Sequence, residues 1–305
     1  MTLRLGFIGV GNLGFHLANS LARAGFPLTV YDLNKNAAAP LLAAGATWAD
    51  SPQAVAEQCD SVFTCLPSPK IVSAVVSGEK GILAGLKPGG TWIDMSTNDR
   101  NELIRLAAVA AAKGCNALEA PVTGGVHKAA AGEITILVGG EPAVYEAHLP
   151  ALQAMGGKIF YMGPVGSGSV MKVITNMLAF IHLVAAGEAL MLAKRGGLDL
   201  AQAFEVIKSS SGNSFVHETE SQLILNGSYN INFTMELACK DLGFATQLGR
   251  DFGVPLELAG LVEQTFIRAR SQYGGGAWST QVVKLLEDAL GTDLRAPGFP
   301  AELDI

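Results

Sequence analysis

Short apolar runs alternate with longer segments of helical spacing through the first half of the chain. Leu3–Val10, Leu28–Tyr31, Ser61–Leu66, Gly90–Met95, Asn116–Ala120, Ile134–Val138 and Lys158–Tyr161 have the length and make-up of strands. Between them, segments such as Asn12–Ala24, Asn36–Ala44, Pro69–Val76, Asp99–Ala112 and Ala143–Met155 repeat apolar residues three and four apart, as one face of a helix requires. This alternation predicts βαβ units, right-handed crossovers and a parallel sheet.

Near Gly163 the rhythm changes. Gly166–Lys194 is helical in pattern, without proline and with few charges. Leu200–Ser209, Phe233–Phe252, Leu256–Tyr273 and Thr280–Leu290 follow, and Ser210–His217 reads as a polar loop. The expected fold class is therefore α/β: a doubly wound parallel sheet domain over residues 1–164, then an all-α domain over 165–305, joined by one long helix. Met177–Ala193 is apolar on nearly every side and must be covered all round. It is expected to be a buried helix, between the domains or in a subunit interface. Thr175, Asn176, His182 and Glu188 interrupt its apolar stretch and argue against a bilayer span.

Composition narrows the function. Hydrophobic residues make up 49% and charged residues 16% of the 305, which predicts a large core and excludes disorder. The net charge of −6 argues against a nucleic-acid partner. Cys59, Cys65, Cys115 and Cys239 form no C-x-x-C pair and have no histidine at ligand spacing. Neither a disulfide scaffold nor a metal is expected, and reduced thiols suit a cytoplasmic protein. The first fourteen residues carry one basic residue and a glycine-broken apolar run, which is no signal peptide. No membrane partner is expected.

Gly9-Val10-Gly11-Asn12-Leu13-Gly14 is a G-x-G-x-x-G string. It follows a predicted strand and opens a predicted helix, the context that a dinucleotide site of the Rossmann type needs. Gly9 permits the tight turn, Gly11 lets the backbone approach a pyrophosphate, and Gly14 allows close helix–sheet packing. The free N–H groups of the helix start, around Asn12 and Leu13, then hold the phosphates. Asp32 ends the second strand, where a carboxylate accepts hydrogen bonds from ribose hydroxyls and repels a 2′-phosphate. NAD is expected over NADP, with Lys35 the one nearby residue that counts against it.

Four further strings then resemble the β-hydroxyacid dehydrogenase family. They are Asp94-Met95-Ser96-Thr97, the run from Glu119 to Gly125, the run from Gly166 to Asn176, and Lys240-Asp241-Leu242. With the N-terminal glycines they span residues 6 to about 245 in order. The resemblance implies a Rossmann domain, a long interdomain helix and an all-α domain that carries oligomer contacts, hence a homodimer or homotetramer. It implies hydride transfer between a nicotinamide cofactor and a short, carboxylate-bearing 3-hydroxy acid, or its semialdehyde. Lys172 matches the general acid/base and Asn176 its partner, four residues on and so on the same helix face. Thr123, Gly124 and Gly125 match the loop that holds the substrate carboxylate, with Ser96 beside the substrate. Thr97 matches a contact to the nicotinamide ribose, Leu66 and Pro67 a cofactor-covering loop, and Lys240 a lysine that reaches the cofactor or substrate.

An ordinary lysine is a poor base near neutrality. Apolar enclosure and a cationic nicotinamide would lower its pKa, while a substrate carboxylate would raise it again. The chain departs from the family at Thr123, where serine is usual, at Thr175, where a second asparagine is common, and at Asn98-Asp99-Arg100, where a proline is common. His127 and Lys128 flank the carboxylate loop, and Phe215 and His217 are candidates for substrate specificity. An imine or ketone reductase on the same scaffold, or a non-catalytic dinucleotide-binding module, are the competing readings.

Overall fold

The computed structural model describes residues 3–303. It divides into two compact units, one ending at Lys172 and the other beginning at Val173. The sequence placed the division at 164/165.

The first unit is built on a nine-stranded sheet. Its strands are β1 (Leu5–Ile8), β2 (Leu28–Tyr31), β3 (Thr47–Trp48), β4 (Ser61–Thr64), β5 (Thr91–Asp94), β6 (Asn116–Glu119), β7 (Val122–Thr123), β8 (Ile134–Gly140) and β9 (Gly156–Gly163). The order is β3-β2-β1-β4-β5-β6-β8-β7, with β9 also paired to β8. The strands from β3 to β6 are all parallel. Strand order reverses between β1 and β4, the switch point at which doubly wound sheets bind ligands. Helices α1 (Gly14–Arg23), α2 (Ala39–Ala43), α3 (Pro52–Gln58), α4 (Pro69–Ser77), α5 (Ile82–Gly85), α6 (Arg100–Ala112), α7 (Gly125–Ala130) and α8 (Pro142–Met155) complete this unit.

Alternation along the strands feeds two cores. Leu5 and Phe7, Phe63 and Ile93 pack on the side of α1. Ile8, Val62 and Trp92 pack on the other side, with α3, α4 and α6. Period-two side-chain alternation produces this split.

The sheet is parallel in the main, as expected, with one antiparallel part. Strand β8 runs antiparallel to both β6 and β7. Two residues, Ala120 and Pro121, separate β6 from β7, and ten residues, six of them in α7, join β7 to β8. A parallel return needs a crossover of a dozen residues or more, so these short links force antiparallel pairing. Helix α8 is long enough, and β9 pairs parallel to β8.

The long helix α9 (Ser167–Arg195) begins in the first unit and continues into the second. The second unit adds α10 (Leu200–Lys208), α11 (Phe215–Asn226), α12 (Met235–Phe252), α13 (Glu257–Tyr273) and α14 (Lys284–Leu290). Phe180 of α9 contacts the rings of Phe233 and Phe266, the latter edge-on at 5.2 Å. With Leu183, Leu190, Leu225 and Leu242, these residues form the helical core.

Helix α9 is only partly covered by its own chain, so of the two expected settings a subunit interface is the one its exposed face leaves open. Only 28% of its most apolar eighteen-residue window is buried, and Leu178 and Leu192 stand exposed. By length and composition alone it could cross a membrane. Its seat in the helical core, however, is that of a bundle helix.

Candidate active site

The last residues of the parallel strands lie in one row. Register pairs Tyr31 with Ile8, Ile8 with Thr64, Thr64 with Asp94, and Asp94 with Glu119. The residues just beyond this row include Gly9, Asp32, Leu66 and Ser96. One sheet edge therefore gathers candidates drawn from residues 9 to 119.

The three glycines after β1 differ in what surrounds them. Gly9 has φ +91°, and a Cβ there would stand 2.3 Å from the Cys65 carbonyl oxygen. A Cβ on Gly14 would stand 1.9 Å from the Gly9 carbonyl oxygen. Gly11 has nothing within 4 Å of its Cβ position, so no protein packing requires glycine there. Close approach of a ligand does require it. No side chain caps the N-terminus of α1, and its first turn carries no acidic residue. Uncapped N–H groups at the positive end of a helix suit a phosphate.

Asp32, partly buried, accepts the Val10 N–H at 2.9 Å on one oxygen and the Asn34 N–H at 2.8 Å on the other. Each oxygen keeps a lone pair for a ribose hydroxyl. These residues fit a pyridine dinucleotide.

Behind the row lies a buried polar network. Asp94 accepts the Thr64 hydroxyl at 2.9 Å, the Ser96 N–H at 3.2 Å and the Asn98 amide at 2.8 Å. Trp92 donates its indole N–H to the Thr64 hydroxyl at 3.0 Å. Burial pushes the Asp94 carboxyl up against the pull of these donors. Ser96 is 4% exposed, and its hydroxyl accepts the Leu66 N–H at 2.9 Å. Its oxygen thus fixes the loop that carries Leu66 and the exposed Pro67. Thr97 is less buried than Ser96.

Thr123 ends β7, and Gly124 and Gly125 follow with φ of +126° and +86°. Two successive residues of positive φ demand glycine and leave the backbone N–H groups without side-chain cover. The His127 ring stands close by, 3.0 Å from where a Gly125 Cβ would be. Burial lowers the pKa of His127, with some help from the Lys128 charge.

Glu119 is the largest feature that the sequence reading missed. Its carboxylate, 1% exposed, accepts the N–H groups of Gly166, Gly168 and Ser169 at 2.6, 2.8 and 2.9 Å. It also accepts the Ser169 hydroxyl at 2.5 Å. Burial pushes this carboxyl up, and the four donors pull it back. A Cβ on Gly139 would stand 2.2 Å from a Glu119 oxygen, so glycine there makes the room. Lys172, one turn beyond Ser169, is 7% exposed. A lysine so buried is rare outside a functional or paired setting.

In the helical unit, Asn176 donates its side-chain amide to Asp241 at 2.6 Å. Lys240 stands 3.0 Å from the other Asp241 oxygen, as an ion pair without hydrogen-bond alignment. The Lys240 ammonium also lies 5.2 Å from the centre of the Phe244 ring. Asp241, 1% exposed, is a second residue that the sequence reading left without a role.

The expected polar loop at 210–217 is corrected. Ser214 accepts the His217 N–H at 3.0 Å and so caps α11, placing Phe215 and His217 on a helix. His217 is buried, with its ring on the Phe204 carbonyl and the Ser221 hydroxyl. Phe215 is exposed.

Comparison with known proteins decides the family. Residues 4–163 match the model for the NAD-binding domain of 6-phosphogluconate dehydrogenase. Residues 166–286 match the model for the NAD-binding region of NADP-dependent 3-hydroxyisobutyrate dehydrogenase. The chain belongs to the β-hydroxyacid dehydrogenase family.

Among similar members, 2-(hydroxymethyl)glutarate dehydrogenase of Eubacterium barkeri is 34% identical, over 96% of this chain and 98% of that one. L-threonate dehydrogenase of Escherichia coli is 33% identical, over 92% and 94%. A crystal structure of 3-hydroxyisobutyrate dehydrogenase from Salmonella typhimurium superposes with a TM-score of 0.86 at 32% identity, covering 92% of this chain and 99% of that one. An imine reductase from Myxococcus stipitatus, at 17% identity and a TM-score of 0.64, shares the fold alone. As a β-hydroxyacid dehydrogenase the chain is an NAD(P)-dependent oxidoreductase acting on CH–OH groups.

Proposed function

We propose that this β-hydroxyacid dehydrogenase oxidises a short 3-hydroxy acid, or reduces the matching semialdehyde, with Lys172 as general acid/base and NAD as the preferred cofactor. The observation that carries the proposal is the burial of Lys172 one turn into a helix whose start Glu119 pins to the sheet edge. The cofactor, when bound, supplies the hydride acceptor.

In oxidation, the Lys172 amine takes the proton of the substrate hydroxyl as the carbon–hydrogen electron pair departs. In reduction, the ammonium returns that proton to the carbonyl oxygen. Asn176, oriented by Asp241, holds the reacting oxygen. The Thr123-Gly124-Gly125 loop binds the carboxylate, and Thr97 the nicotinamide ribose. Asp32, with an open lone pair on each oxygen and no arginine in the loop that follows, supports NAD over NADP.

The exposed apolar side chains of α9, Leu178 and Leu192, together with Leu258 and Leu261 of α13, support a homodimer or homotetramer. All four cysteines are free, which suits a reducing compartment such as the cytoplasm.

The relatives name the substrates to try. Initial rates should be compared for 3-hydroxyisobutyrate, 2-(hydroxymethyl)glutarate, L-threonate and L-serine with NAD+ and NADP+, and for a cyclic imine with NADH and NADPH as control. The proposal expects one hydroxy acid to exceed the imine in kcat/KM by orders of magnitude, with NAD favoured. A better rate with the imine would overturn it.

A further inference from the structure

The loop after Asp32 carries a cation that is held over an aromatic ring. Lys35 is the sole lysine or arginine between residues 32 and 50. Two side-chain turns pin its backbone. Asp32 accepts the Asn34 N–H, and Asn34 in turn accepts the Asn36 N–H at 3.2 Å. The Lys35 ammonium lies over the Trp48 ring on β3, 5.0 Å from its centroid.

That ring is held from two sides. Its indole N–H donates to Asp50 at 2.7 Å, and it packs against Tyr31 at 5.7 Å between centroids. A carboxylate on the indole N–H adds electron density to the ring and negative charge beside it. Both strengthen the hold on an ammonium.

We infer that Trp48, backed by Asp50, is a specificity-determining residue for the cofactor: it sequesters the one cation of the loop after Asp32, where a 2′-phosphate would lie. Asp32 repels that phosphate, and Trp48 withholds its counter-charge. The inference rests on the NAD-preferring reading above.

Dissociation constants of NAD+ and NADP+ are measured by calorimetry on the whole protein and on Trp48→Leu, Lys35→Ala and the double variant. Replacing the ring frees Lys35, so Trp48→Leu should tighten NADP+ about two- to fivefold, the worth of an exposed cation–π contact. NAD+ should stay within about twofold. The gain should vanish in the double variant, because it needs the ammonium. Trp48→Phe keeps an aromatic face but loses the Asp50 bond, so it should show a smaller gain and serves if the leucine variant misfolds. An unchanged NADP+ affinity in Trp48→Leu, or a gain that survives loss of Lys35, would overturn the inference while leaving the Asp32 reading intact. A wild-type protein that binds NADP+ tighter than NAD+ would overturn the NAD reading itself, and this inference with it.

Discussion

The Glu119 carboxylate accepts both the backbone N–H of Ser169, at 2.9 Å, and its hydroxyl, at 2.5 Å. One side chain at the end of β6 thereby fixes the start of α9 on the sheet, three residues before Lys172. Negative charge at a helix N-terminus is favourable, and here it is buried and fully hydrogen-bonded. Under the proposed mechanism, Glu119 is thus a positioning residue for Lys172.

Removing that carboxylate should harm both stability and turnover. Glu119→Ala leaves buried N–H donors without a partner, at about 2–4 kcal/mol in all. The melting temperature should fall by about 5–10 °C. In the folded variant, kcat should fall at least tenfold while NAD+ affinity changes little, because Gly11 and Asp32 lie in the loops after β1 and β2. Equal losses in kcat and cofactor affinity would mean that Glu119 supports the sheet in general rather than Lys172.

The dinucleotide glycines predict opposite failures. A Cβ at Gly11 meets open space, whereas one at Gly14 meets the Gly9 carbonyl at 1.9 Å. Gly11→Ala should melt like the parent but lose at least tenfold in NAD+ affinity. Gly14→Ala should be destabilised outright. Calorimetric binding and thermal melts on the two variants check this, and normal NAD+ binding by Gly11→Ala would contradict the placement of the pyrophosphate.

In the helical unit, Glu220 sits on the face of α11 that also carries buried Val216 and Ile224, and its Oε2 has no hydrogen-bond partner. Burial pushes its carboxyl up to about 8, against ~4.3 in an unfolded chain. A folded pKa above the unfolded one contributes stability at low pH and loses it as pH rises from about 4.3 to about 8. Glu220→Gln cannot ionise. It should gain several degrees in melting temperature over the parent at pH 8.5, and little or nothing at pH 5. A difference independent of pH would contradict the assignment.

What was legible in the sequence was local. The glycine string, Asp32 and the five parallel strands β1, β2, β4, β5 and β6 announce themselves through spacing and chain direction alone. The antiparallel turn of β8 was not legible, since apolar runs such as Ile134–Val138 read the same in either direction. Strand β3 was too short to register, at two residues. The start of α11 had a signal, Ser214 ahead of an apolar pair, in the manner of a helix cap. Glu119 and Asp241 stayed hidden for a different reason. Their partners lie 47–50 and 65 residues away, and buried acids that bond at such range leave no periodic trace.

The central claim is that Lys172 moves the proton, and single-turnover kinetics of Lys172→Ala test it most directly. With the best substrate of the panel and saturating NAD+, the rate of NADH formation should fall by about 10²–10⁴-fold. NAD+ affinity should stay within about twofold, with the melting curve unchanged. A variant that still turns over within tenfold of the parent would show that the proton goes elsewhere.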